Sequence, residues 1–238
     1  MQRSIPFCLA LLAAVSLAGA IPLAKADIIP IGDVSPSNPS AWTTSTTGYI
    51  GKTATGTLTV SDGGYLRSYY GYIGYGSTAT GVVMVDGTRS TWDNMIAWYV
   101  GYSGSGTFSI TNGGNVSSTN AAQCGALIGY NSGSKGVVTV DGPGSTWSNG
   151  SVCIGRSGSG VLSITNGGSV VTGVYSTGGD IGCNPGSAGV VIVDGADSTW
   201  TNGRQLYVGD QGSGMLLVTN GGSVDCGTVS GNLYVGRQ

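Results

Sequence analysis

The chain has 238 residues, enough for one ordinary domain, yet only 8% of them are charged and 45 are glycine. That low charge, with abundant Val, Ile, Thr and Tyr, excludes a disordered tail, and the regular punctuation by Gly, Asn and Asp predicts many short strands joined by tight turns. Net charge is −2, and −4 once residues 1–26 are set aside (seven basic residues against eleven Asp), which excludes an electrostatic partner for nucleic acid or an anionic membrane.

Residues 1–26 read as a secretory signal. Arg3 gives a positive start, Phe7 to Leu17 an apolar stretch, and Ala24-Lys25-Ala26 before Asp27 a small-x-small cleavage site; a cut after Ala18-Gly19-Ala20 is the alternative. Pro22 and Lys25 interrupt the run, so no membrane insertion is expected from it. The expected location is outside the cell or on a bacterial cell surface. Residues 27–41, with Pro30, Pro36 and Pro39, read as a leader or N-terminal cap, and 42–238 as repeats.

Cys8 leaves with the signal, and Cys124, Cys153, Cys183 and Cys226 remain. Four thiols in an oxidising compartment allow two disulfides in three pairings. They fall at different places in the repeat, so no column of stacked cysteines is expected, and the spacing lacks the C-x-x-C of zinc sites. Their pairing stays open at this level.

The repeat dominates the chain. A β-branched residue followed by Gly recurs at Gly51, Gly74, Gly101, Gly129, Gly155, Gly182, Gly209 and Gly236, at intervals of 23 to 28 residues. Two kinds of unit alternate. One carries TNGG (Gly106 to Val116, Gly160 to Val170, Gly214 to Val224, with Gly56 to Leu66 a variant). The other carries VDG and ends in STW at Trp92, Trp147 and Trp200, and Trp42 by its spacing closes a preceding unit. Each unit of about 27 residues holds three strand candidates. The fold expected is all-β, a β-solenoid of about seven coils and, by the general preference of parallel connections, right-handed. At about 4.8 Å per coil the rod spans about 34 Å.

Alternation assigns the faces. Leu58 and Val60, Phe108 and Ile110, Leu162 and Ile164, and Leu216 and Val218 point inward, whereas Thr59, Ser109 and Ser163 point out, with Leu217 breaking the pattern. An interior column of Trp92, Val116, Trp147, Val170, Trp200 and Val224 lets large rings interdigitate with small valines. At the turns a column alternating Asp86, Asn112, Asp141, Asn166, Asp194 and Asn220 separates like charges, with amides bridging between them.

In their fixed order, the STW, YIG-like and TNGG blocks, above all VDGPGSTWSNGSVCIGRSGSGVLSITNGGSV from Val140 to Val170, resemble the type V secretion/PEP-CTERM-associated repeat family over most of 42–238. The resemblance implies an exported autotransporter passenger or a surface protein with a sorting tail, and it implies no catalytic residues. Those proteins finish in a translocator barrel or a Pro-Glu-Pro tail. This chain finishes in LYVGRQ within a new coil, so it reads as truncated, with an open end inviting self-association.

The residues themselves argue against an enzyme and against a metal or other cofactor. There is no His and no Glu, so the commonest proton shuttle and most paired-carboxylate sites are missing. The Asp residues outside the turns (Asp33, Asp93, Asp180, Asp197, Asp210, Asp225) are scattered, and no calcium nonapeptide or EF-hand loop occurs. The expected role is a structural or adhesive surface rod. The alternative is a carbohydrate-binding module, with a β-helix polysaccharide-degrading enzyme a distant third. Tyrosines crowd one part of the chain, Trp98 among them, and Tyr49, Tyr72 and Tyr99 recur two residues before the repeated Gly. With Tyr70, Tyr75 and Tyr102 they form the candidate contact with an extracellular glycan or surface protein.

Overall fold

The computed structural model describes residues 26–118, 125–173, 178–227 and 231–236. It is all β apart from one 3-10 turn, Pro39–Ala41. The first sheet has eight strands, seven of them parallel: Thr55–Ser61, Thr80–Asp86, Ser105–Thr111, Lys135–Asp141, Ser159–Thr165, Ala188–Asp194 and Ser213–Thr219. Six steps take the chain from Thr55 to Ser213, about 26 residues per coil. The protein is therefore a β-solenoid of about seven coils.

From the first sheet the chain turns into a second, which receives two segments of every coil. In two early coils these segments run together as the long strands Tyr65–Ile73 and Thr91–Val100; later they separate, as in Thr146–Ser148 and Ser151–Ile154. The repeated glycine then leads back to the first sheet. It has φ between 66° and 73° in all eight copies, and at Gly51, Gly74 and Gly101 an added Cβ would strike the backbone of the following coil at Thr80, Ser105 and Lys135. A left-handed corner lying against another backbone admits only glycine, which explains why this residue marks the period.

The N-terminal end is closed by antiparallel pairing. Asp27–Gly32 lies along Thr55–Ser61, and Val34–Ser35 along Thr47–Ile50. Trp42, whose spacing suggested the end of a preceding repeat, lies outside any strand just after the 3-10 turn. It is buried against Gly48 and donates its indole N–H to the Pro36 carbonyl at 3.1 Å.

The core runs the length of the stack. Leu58, Val60, Phe108, Ile110, Leu162 and Ile164 are fully buried. In the last strand of this sheet, which no further coil covers among the described residues, Leu216 is partly buried against the core while Leu217 and Val218 are both exposed. The tryptophan–valine column is in register as expected, Trp92, Val116, Trp147, Val170, Trp200 and Val224 pairing strand to strand, and Leu66 extends it by one coil. Large rings also need room beside them. Gly71 lies against Trp92 and Trp98, and Gly179 against Trp200, so closely that a methyl group at either glycine would overlap an indole.

The turn column differs from the expected one by a residue. Asp86, Thr111, Asp141, Thr165, Asp194 and Thr219 are the register partners, and each asparagine stands one position further on. The offset arises because Asn112, Asn166 and Asn220 take up the left-handed conformation of the Asn-Gly turn, at φ 52°, 51° and 49°, and so leave the strand. Each amide then donates to the aspartate of one neighbouring coil: Asn112 to Asp86 at 2.7 Å, Asn166 to Asp141 at 2.6 Å and Asn220 to Asp194 at 2.6 Å. Threonine hydroxyls supply the second donor to the same oxygen, at 2.5 to 2.6 Å. These two donors hold the Asp194 carboxyl below the usual carboxylate range.

The serine of each STW motif joins adjacent turns. Ser145 Oγ donates to the Asp141 carbonyl at 2.6 Å and accepts from the Gly113 amide of the preceding coil at 3.0 Å. Ser198 repeats the arrangement with Asp194 and Gly167, at 2.7 and 3.0 Å. The STW and NGG motifs are thus two halves of one contact between coils, which is why they alternate.

Candidate functional site

Two outer columns run side by side where the second sheet ends. The residue two before the repeated Gly sits on a strand whose preceding and following side chains point into the core, so its own side chain projects out. Down the chain this column reads Tyr49, Tyr72, Tyr99, Leu127, Cys153, Asp180, Tyr207 and Tyr234. The residue after the repeated Gly forms the second column: Lys52, Tyr75, Tyr102, Tyr130, Arg156, Cys183 and Asp210.

The structure brings all six sequence-predicted tyrosines together. Tyr49 and Tyr72 stack with centroids 5.2 Å apart, and Tyr72 and Tyr99 at 4.6 Å. In the second column Tyr75 stacks on Tyr102 at 4.9 Å, and Tyr102 on Tyr130 at 4.9 Å. The columns meet edge to face, Tyr49 with Tyr75 at 5.1 Å, Tyr72 with Tyr102 at 5.3 Å and Tyr99 with Tyr130 at 5.1 Å. Tyr70 leans on both Tyr72 and Tyr99, at 6.1 and 6.3 Å. Both stacked and edge-to-face geometries are favourable for aromatic rings.

A cation covers each end of the array. Lys52 Nζ lies 4.7 Å from the Tyr49 centroid, and the Arg156 guanidinium 4.8 Å from that of Tyr130. Burial, and then the neighbouring phenols Tyr99 and Tyr49, push the ionisation of Tyr72 upward from the ordinary tyrosine value; burial does the same to Tyr49.

Three parts of this site were not apparent from the first column alone. Tyr130, Lys52 and Arg156 belong to the second column, and their signal is the position just after the repeated Gly. Trp98, by contrast, is fully buried: it stands three before Gly101 and so points into the core, away from the tyrosines around it in sequence. Tyr65 also lies apart. It donates its hydroxyl to Asp93 at 2.6 Å and receives the Arg67 Nε–H at 2.6 Å.

Beyond Arg156 the same face carries a disulfide. Cys153 and Cys183 are bonded, with Cα atoms 6.5 Å apart, although their places in the repeat differ. Adjacent columns in adjacent coils bring the two positions together, so the bond forms without a column of stacked cysteines. Cys226 is the free cysteine among the described residues, its thiol pushed up by burial and by Asp225; Cys124 lies outside them. A cleft of about 270 Å³ opens here, with Leu127, Arg156, Asp180 and Tyr207 among its walls. Cys153, Asp180 and Cys183 are the one group of potential metal ligands among the described residues, with ligand atoms within 4.8 Å of one another, but the disulfide consumes both thiols.

Five aspartates are engaged in hydrogen bonds within and between coils. Besides the turn column, Asp33 Oδ2 accepts the amides of Thr53 at 2.6 Å and Ala54 at 2.8 Å, which hold its carboxyl below the usual range, and Asp93 accepts Tyr65 and Ser117. No helix among the described residues is long and apolar enough to cross a membrane. No protein-family model, curated protein or solved structure matches this chain.

Proposed function

We propose that this chain is an exported structural and adhesive rod of the autotransporter-passenger kind, without catalytic activity. The observation that carries the reading is the use of the repeat motifs: tryptophan, serine, asparagine and glycine are all spent on contacts between coils, and what varies from coil to coil is the outer double column. Such a design extends reach and presents a surface without a reaction centre. A disulfide between coils suits an oxidising compartment, in keeping with residues 1–26 as a signal. The resemblance to type V secretion/PEP-CTERM-associated repeats points the same way.

The test is fractionation of a bacterium expressing the full chain, with sequencing of the mature N-terminus. Export predicts a product outside the cytoplasm that begins at Asp27, or at Ile21 if the earlier cleavage site is used. A cytoplasmic product that keeps residues 1–26 sinks the reading.

A carbohydrate-binding role is the second reading, and the cleft beside Arg156 on the tyrosine face favours it. Sugar stacking needs a free ring face. Both faces of Tyr72 and of Tyr102 are covered by stacked neighbours, as is one face of Tyr99, so a glycan reaching these rings from the side would meet edges and hydroxyls. Retention on immobilised glycans that disappears in Tyr72→Ala/Tyr99→Ala supports this reading; retention unchanged by the substitutions moves the contact elsewhere.

A further inference from the structure

We propose that the double tyrosine column is a site of oxidative cross-linking, where phenols of adjacent coils join as dityrosine when a haem peroxidase with hydrogen peroxide, or a one-electron oxidant of that class, reaches this face. The inference does not depend on adhesion or glycan binding.

Proximity carries the argument. Coil stacking holds Tyr72 against Tyr99 at 4.6 Å and Tyr75 against Tyr102 at 4.9 Å, so two phenoxyl radicals formed here need no diffusion to meet. The rings are half-buried, accessible to an oxidant at the surface yet fixed from beneath by the second sheet. Lys52 over Tyr49 and Arg156 over Tyr130 make loss of an electron harder at the two end rings, which concentrates radicals on the rings between them. The face also accommodates a covalent bond between coils: Cys153 and Cys183 form one further along the same two columns.

The chemistry balances. Each phenol gives up its hydroxyl hydrogen as one electron and one proton. The two radicals couple through the ring carbons ortho to the oxygens, each of which carries one hydrogen. The hydrogens on those carbons leave as protons, and protons return to the oxygens as the rings regain aromaticity. In sum two C–H bonds break, one C–C bond forms, and two electrons with two protons reduce one hydrogen peroxide to two waters. The product ties neighbouring coils together, as the disulfide does.

The experiment oxidises the dilute full chain with peroxidase and peroxide, folded and in urea, and analyses tryptic peptides by mass spectrometry. Cleavage after Arg67, Arg89 and Lys135 separates Tyr72 and Tyr75 from Tyr99 and Tyr102. The folded monomer should yield peptide 68–89 joined to peptide 90–135 with the loss of two hydrogens. That yield should fall severalfold in urea and in Tyr72→Phe/Tyr75→Phe, which keeps the rings but lacks their hydroxyls. Tyr65, occupied with Asp93 and Arg67, should stay uncoupled and serves as an internal control. An equal yield in urea, coupling at Tyr65 as frequent as in the columns, or peroxide consumed with no link between the two peptides overturns the proposal.

Discussion

Cys153 and Cys183 are bonded across the diagonal that Tyr99 and Tyr130 occupy two coils earlier. In each pair the first residue stands two before a repeated glycine and the second just after the next one, and the Tyr99–Tyr130 rings meet edge to face at 5.1 Å. One seam between coils therefore holds aromatic contacts in its N-terminal part and a covalent bond beyond them.

The disulfide should accordingly stabilise the later coils. It closes a loop of 30 residues, and the chain-entropy relation puts that constraint at about 3–4 kcal/mol. Denaturant unfolding of the oxidised chain, the chain with a dithiol reductant, and Cys153→Ser/Cys183→Ser should give a high midpoint for the first and equal, lower midpoints for the other two. A midpoint insensitive to reductant would show that the core alone sets stability in this region.

The match between glycine and tryptophan should appear as a compensating pair. Gly179→Ala places a methyl group 2.8 Å from the Trp200 ring and 2.9 Å from Leu206, an overlap worth about 1–3 kcal/mol. Trp200→Leu alone leaves a cavity and breaks the hydrogen bond from the indole to Thr172 at 2.9 Å. Combined, the two changes should cost less than the sum of the singles, since the leucine vacates the space the new methyl group needs. Strict additivity in a double-mutant unfolding cycle would deny the coupling.

Alkaline pH should loosen the tyrosine face through Tyr72. Burial raises its ionisation above the ordinary value of 10.0, so the fold favours the neutral phenol. That contribution is fully present below pH 10.0 and is lost as pH rises toward the elevated folded value, because the unfolded chain releases its proton first. Tyr72→Phe cannot ionise and should unfold at higher pH than the parent when followed by circular dichroism. Identical alkaline midpoints would mean that other groups dominate.

By itself the sequence determined the solenoid. The glycine period, the inward alternation exemplified by Phe108 and Ile110, and the column from Trp92 to Val224 are local patterns repeated, and stacking in register follows because each unit must bury its apolar face on a copy of itself. The outward position of Tyr49, Tyr72 and Tyr99 follows from the same two-residue alternation. Only the tertiary structure decided what touches across a corner. Tyr130, Arg156 and the Cys153–Cys183 bond depend on where the residue after the repeated glycine lands once its left-handed backbone has turned the chain, and strand alternation stops at that corner. The threonine in place of asparagine beside Asp141 has the same cause: Asn112 and Asn166 leave the strand at a positive φ, and a pattern read along the chain does not show at which residue the strand ends.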